Sequence, residues 1–190
     1  MRVIAGSHRG RRLSGPQGTA LRPTSDKVRG ALFSILGNRI PGSRFLDLFA
    51  GSGAVGIEAL SRGAATVTFV ESDQRAVRLL RKNLIDCQLL SRADVRSAEV
   101  DLFLSHQDWK QSPFDVIFAD PPYAAIQELA PLWRAWEVGL IGSDGVMVIE
   151  QDAKAQLPPT ISGATLIRRY RYGDTALFVY GAEPHEASNP

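Results

Sequence analysis

The sequence predicts an α/β fold, a Rossmann-like doubly wound sheet, and three observations carry that prediction. Apolar strand-like runs alternate with amphipathic helical stretches, a glycine-rich turn joins the first such strand to a helix, and the last third holds two β-rich runs with no space for a helix between them. The chain has 190 residues, one domain by size, and ordinary hydrophobic and charged fractions of 44% and 22%.

Taken in order, Ser25 caps a helix over SDKVRGALFSILGNRI, in which Val28, Ala31, Leu32, Ile35 and Leu36 form an apolar stripe. Gly30 weakens that helix by about 1 kcal/mol relative to alanine. RFLDLFA (44–50) reads as a strand, and GSGAVGIEALSRG as a glycine turn opening a helix that closes at Gly63. ATVTFVES (65–72) is a second buried strand and QRAVRLLRKNLIDC (74–87) an amphipathic helix. A weaker third strand is placed near Leu89–Val95, then a helix around Val100–Ser105 and a strand at DVIFA (115–119). IQELAPLWRAWEVGL holds a further helix with Pro131 near its first turns, and GVMVIEQ (145–151) is the fifth strand. ATLIRRYRYGDTALFVYG (164–181) turns at Tyr172-Gly173-Asp174-Thr175, so the sheet is seven-stranded and mostly parallel, with an antiparallel C-terminal hairpin. Residues 1–181 form the single domain, with a basic extension over 1–24 and a disordered polar tail over 182–190.

Composition removes several functions. No apolar run approaches the ~18 residues of a membrane span, and the N-terminus lacks a signal-peptide core. Cys87 is alone, which suits a reducing cytoplasm, and His8, His106 and His185 lie too far apart to suggest a metal site, so none is expected. The net charge of +2 is unevenly spread: Arg2, Arg9, Arg11, Arg12, Arg22, Lys27 and Arg29 face only Asp26 within residues 1–30. A basic arm on a mildly acidic body is a footprint of nucleic-acid binding.

Gly51-Ser52-Gly53-Ala54-Val55-Gly56 fits G-x-G-x-x-G, and Glu71 follows twenty residues after Gly51. Taken alone the pattern serves a dinucleotide or S-adenosylmethionine, since both present ribose hydroxyls to an acid. Two features favour the methyl donor. Asp47, four residues before Gly51, places a negative charge that suits an ammonium and sulfonium ligand and repels a pyrophosphate. A second acid, Asp120, ends the fourth strand in Asp120-Pro121-Pro122-Tyr123. Proline ends the strand because it cannot donate to a ladder, and it holds the preceding residue extended. An Asp120 oxygen and the Pro121 carbonyl can accept both hydrogens of an exocyclic amine. That directs a delocalised lone pair at the sulfonium methyl, a positioning effect of roughly 7–11 kcal/mol in the best cases. Tyr123 offers a face for base stacking, and an unpaired base is easier to reach than a paired one.

The set MRVIAGSHRGRRL, RPTSDKVRGALFSIL, FLDLFAGSGAVGIEALSRGA, VESD, DPPY and YGDTAL resembles the RsmD family of bacterial methyltransferases. The match spans residues 1–181; the basic opening, RPTSDKVR and YGDT point to the family, whereas DLFAGSG and DPPY mark the wider class of amino-methylating enzymes. The resemblance implies a class I S-adenosylmethionine-dependent fold and methylation of the 2-amino group of a guanine in small-subunit (16S) ribosomal RNA. It implies cofactor contacts from Asp47, Phe49, Ala50, Gly51, Ser52, Gly53, Glu71 and Ser72, with adenine near Asp94 and Val95. Asp120, Pro121, Pro122 and Tyr123 form the catalytic loop, and Arg9, Arg11, Arg12, Arg22, Lys27 and Arg29 touch RNA. The expected agent is a cytoplasmic monomer acting on a 30S particle, finished or in assembly. The rivals are a DNA adenine amino-methyltransferase, and a module that binds cofactor and RNA without turnover.

Overall fold

A buried sheet runs through the computed structural model, which describes residues 1–15, 25–105, 112–121 and 129–182. The described elements are α1 (Asp26–Leu36), β1 (Arg44–Leu48), α2 (Ala54–Ser61), β2 (Thr66–Glu71), α3 (Gln74–Asp86), β3 (Ala93–Ser97), α4 (Val100–Ser105), β4 (Phe114–Ala119), α5 (Ala130–Glu137), β5 (Ile141–Asp152), β6 (Thr160–Ile161), β7 (Ala164–Tyr172) and β8 (Thr175–Ala182). Strand order is β3-β2-β1-β4-β5-β8-β7-β6. The first five are parallel and the last three are joined antiparallel.

The sheet therefore has eight strands where seven were expected. The extra one, β6, is only two residues long and pairs with Ala164 and Thr165 across a turn at Ser162 (φ 39°) and Gly163 (φ 87°). A two-residue strand leaves no period-2 signal in a sequence. The third strand is also displaced: Leu90–Arg92 form a 3-10 turn, and pairing begins only at Ala93. β5 begins four residues before the expected Gly145, with a register shift against β4 between Phe114 and Val116.

Two apolar layers cover the sheet. On one face Val28, Leu32, Phe33 and Leu36 of α1, Ile57 and Leu60 of α2, and Leu80 and Leu84 of α3 pack over Phe45, Phe69 and Phe118. On the other, Val100 and Leu104 of α4 and Leu132 and Ala135 of α5 pack over Leu46, Ile117, Met147 and Phe178. Each fully buried side chain of this size contributes roughly 1.5–3 kcal/mol. Caps set the helix starts: Ser25 Oγ accepts from Val28 N at 3.2 Å, and Asp73 Oδ1 accepts from Arg75 N and Ala76 N at 2.6 and 3.0 Å.

Residues 1–15 of the basic N-terminus are folded onto the core. Arg2 and Arg12 form an antiparallel bridge, Val3 N donates to Arg11 O, and Val3 and Leu13 enter the core. Glu58, wholly buried on α2, accepts from Ile4 N at 2.7 Å and Ala5 N at 2.9 Å, pinning the arm to the helix. Gly6 is required here, because a Cβ would stand 1.9 Å from Ser61 O.

Candidate active site

β1 and β4 are sheet neighbours whose connections leave in opposite directions, β1 through α2 to β2 and β4 towards β5. A doubly wound sheet opens a crevice at such a switch point, beyond the carboxyl ends of its strands. The turn Phe49–Gly53 rims that crevice. Phe49 is held at φ 59°, an uncommon state for a bulky residue that costs about 1–3 kcal/mol. Neighbouring bonds fix the turn: Ala50 N donates to Val70 O and Gly53 N to Ala50 O. The three glycines serve different needs. Gly51 (φ 54°) has open space where a Cβ would project, a cradle against which ligand backbone or ribose can lie. Gly53 packs on Leu80, and Gly56 lies against the Phe69 ring, where a Cβ would meet Cε1 at 2.2 Å.

Three acids converge on this edge. Glu71 ends β2, and its Oε2 accepts from Gly51 N at 2.8 Å while Oε1 accepts from Asp73 N at 2.8 Å. A carboxylate has about four acceptor sites, so these two bonds do not saturate it. Ser72 follows it, exposed at the same edge. Asp47 is 1% exposed, and its Oδ2 accepts from Gly56 N at 2.8 Å, capping the third amide of α2 from outside the helix. Burial pushes the Asp47 carboxyl well above its ordinary range, against the pull of the Gly56 bond, and the charges of Asp120 and Glu71 push it further. From this closed position Asp47 holds α2 against β1. Asp120 is half-buried and Pro121 buried, and Asp120 N lies 3.5 Å from Leu48 O, seating the strand end against β1.

Other expectations change. Arg29 does not face RNA. It is wholly buried, donating to Arg2 O at 2.5 Å and Asp26 Oδ1 at 3.0 Å, with Glu58 Oε2 3.8 Å from Nε. Its charge belongs to the joint between arm, α1 and α2. Asp94 and Val95 do not reach the crevice either. They pair with Thr68 and Phe69, whereas Ser97 pairs with Glu71 at the strand's carboxyl end. Asp94 therefore sits three residues, about 10 Å, short of that end, bonded to Arg96 at 2.7 Å. Ser97 and Ala98 stand at that end instead, and Ala98 N donates to Glu71 O at 3.1 Å. The sequence placed this strand too early, because Leu89 is buried without belonging to it.

Arg9, Arg12 and Lys27 are exposed, and Arg11, also exposed, donates to Asp86 O at 2.7 Å. Pro122, Tyr123, Arg22, His106, His185 and residues 183–190 of the tail lie outside the described residues; Ala182 closes β8. No group of three or more potential metal ligands converges among the described residues, and no described helix is long and apolar enough to cross a membrane.

One residue at the site has no sequence signal of its own. Asn83, wholly buried on α3, accepts from Ser14 N at 2.8 Å and donates to Ser14 O at 3.0 Å and Ser52 O at 2.9 Å. One amide thereby ties the end of the arm to the glycine turn. Its only trace in the sequence is a polar residue on the apolar stripe of an amphipathic helix.

The family described as Conserved hypothetical protein 95 matches residues 1–181. The Ribosomal RNA small subunit methyltransferase D of Escherichia coli (strain K12) is 34% identical over 191 residues, covering 100% of this chain and 93% of that one. The protein of that name from Haemophilus influenzae is 42% identical over 125 residues, 65% of this chain and 64% of that one. Among solved structures, a hypothetical protein of Thermus thermophilus superposes with a TM-score of 0.81 at 36% identity, covering 96% of this chain and 99% of that one. The fold, the glycine turn and the acid-proline strand end thus sit in a chain that belongs to the ribosomal RNA small subunit methyltransferase D (RsmD) family.

Proposed function

We propose that this chain transfers a methyl group from S-adenosylmethionine to the exocyclic 2-amino group of a guanine in small-subunit ribosomal RNA. The observation that carries this reading is the crevice at the switch point, where Asp120 and Pro121 end β4 beside a glycine turn already latched to Glu71. Family membership supplies the ribosomal substrate.

The residues fit the methyl donor. Gly51 leaves room for close approach, and Glu71 keeps acceptor sites for two hydroxyls. When bound, the donor supplies an electrophilic methyl on a sulfonium. The chain's own part is to aim the nucleophile: Asp120 accepts one N–H of the amine and the Pro121 carbonyl the other, leaving the lone pair in line. As the N–C bond forms and the S–C bond breaks, the amine becomes strongly acidic, and its proton leaves to Asp120 or to water. Pro122 and Tyr123 belong to the same sequence motif, and the Tyr123 ring is the stacking partner proposed for the target base. Phe49, Ala50, Ser52, Gly53 and Ser72 line the donor's side.

Residues 1–181 act as one unit, since the arm is joined to the core through Val3, Leu13 and Glu58. Arg9, Arg11, Arg12, Arg22 and Lys27 supply charge towards RNA. The arm's modest charge favours a protein-bearing 30S particle as acceptor, with the enzyme acting as a cytoplasmic monomer and without a metal.

The test offers methyl-labelled donor with unmodified small subunits, free small-subunit RNA, large subunits and unmethylated DNA, then digests the product to nucleosides. Label in a guanosine from the small subunit is expected. Label in adenine of DNA points to the adenine enzyme, and bound cofactor with no transfer to any acceptor points to the non-catalytic module.

A further inference from the structure

The arm approaches the crevice from the wrong side to hold the RNA alone. Its hairpin tip rests on the C-terminal end of α2, where Ser7 N donates to Ser61 O at 2.8 Å and His8 N to Ser61 Oγ at 2.9 Å. That end adjoins the start of β1, since Gly42 N donates to Gly63 O. Arg9 therefore lies near the amino edge of the sheet, a helix length of about 12 Å from the crevice. With Arg29 buried, the crevice needs other cations nearby.

The β7–β8 hairpin supplies them. Ala119 pairs with Ile149, Ile149 with Phe178 and Phe178 with Arg169, so Arg169 is level with the end of β4. Arg171 and Tyr172 continue two and three residues further, roughly 7–10 Å beyond that level. The hairpin stands three strand spacings, roughly 14 Å, to the side of Asp120. It forms a wall beside the crevice, within reach of the backbone flanking a base held there.

The wall is basic. LIRRYRY (166–172) holds three arginines and no acid. Arg168, Arg169 and Arg171 are all exposed, and β6 covers β7 only at Ala164 and Thr165. The three are not equivalent. Arg169 donates to Ala153 O and lies 5.1 Å over the Phe178 ring, a packing role. Arg168 lies 5.9 Å over the Tyr170 ring, which orients its guanidinium from the side of the sheet that carries α1. Arg171 donates Nε to Gly173 O at 3.0 Å, which braces the side chain and leaves its two terminal nitrogens for a bidentate acceptor. Lys27 stands on the same side as Arg168. Because Arg39, just past the end of α1, donates to Asp144 O near the amino end of β5, the start of α1 points to the crevice edge.

We infer that the β7–β8 hairpin is a second RNA-binding element, in which Arg168 on the α1 side and Arg171 on the opposite side take backbone phosphates beside the target base. This rests on the ribosomal RNA reading of the site. Charges on an edge strand also blunt strand-to-strand pairing, and the test separates the two roles.

The experiment measures the affinity of the full chain for free unmethylated small-subunit RNA between 50 and 200 mM salt (about the range over which phosphate contacts are read), with methyl transfer to small subunits alongside. The Arg168→Ala/Arg171→Ala double variant should bind roughly tenfold or more weakly, with a log–log salt slope lower by roughly 0.7 for each phosphate no longer engaged. Its melting temperature and its affinity for S-adenosylmethionine should match wild type. Arg169→Ala should lower the melting temperature and leave the slope alone. A wild-type slope in the double variant, with wild-type methyl transfer intact, overturns this inference and leaves the function standing. A variant weakened towards subunits but not towards free RNA also overturns it, placing the contact on protein. A wild type that neither binds nor methylates small-subunit RNA overturns both.

Discussion

Two neighbouring strands end in acids, and the acids do opposite work. Asp47 on β1 is sealed off and bonded to Gly56, whereas Asp120 on β4 is half-buried at the crevice with a proline behind it. Both precede a break in regular structure, and both read alike in sequence. Burial separates them. An acid closed off with a helix amide as partner builds the site, and an acid at the rim can meet a substrate.

The largest expected effect breaks the pair on the chemical side. Asp120→Ala should lower methyl transfer by about 10³-fold while the melting temperature and cofactor affinity stay near wild type. Loss of fold instead would erase the distinction. Next, Glu71→Ala should weaken S-adenosylmethionine binding by about 1.5–3 kcal/mol, read by calorimetry, because hydrogen bonds to a charged acceptor are removed. Asp47→Ala should cost about 1–3 kcal/mol of stability in denaturant titration, through an unsatisfied Gly56 amide and a void beside α2. If cofactor binding vanished with stability unchanged, Asp47 would be a ligand contact after all. The smallest effect is a pH profile. Burial raises the Asp47 carboxyl above its ordinary 3.8, so the folded chain holds that proton more tightly than the unfolded chain. Relative to Asp47→Asn, wild type should therefore lose stability as pH rises from about 3.8 through the raised value. A difference that grows in the other direction would reverse the assignment.

Much of the fold was legible because strong local chemistry wrote it. Ser25 and Asp73 cap the helices they precede, the Gly51–Gly56 spacing sets strand, turn and helix, and the Tyr172–Thr175 turn closes the hairpin. Weak or nonlocal features were not legible. β6 is too short to show a period, and β3, at the sheet edge, carries exposed Asp94, Arg96 and Ser97 instead of an apolar run. Arg29 looked like its neighbours in a basic segment beside Asp26, yet two of the partners that bury it, Glu58 and Arg2 O, lie 29 and 27 positions away. Asn83 reads as one polar residue on a helix, and its three bonds reach Ser14 and Ser52. Strand ends, caps and turns could be placed from the sequence, and side chains such as Arg29 and Asn83, fixed by remote groups, could not.

The central claim, that the β4 end presents an exocyclic guanine amine to the methyl donor, is tested most directly on the product itself. Small subunits lacking the modification are incubated with methyl-labelled S-adenosylmethionine, and the extracted RNA is digested and resolved against authentic methylated nucleosides. Label should co-elute with 2-methylguanosine and disappear with Asp120→Ala. Label on a ring nitrogen, on a ribose or in adenosine would contradict it.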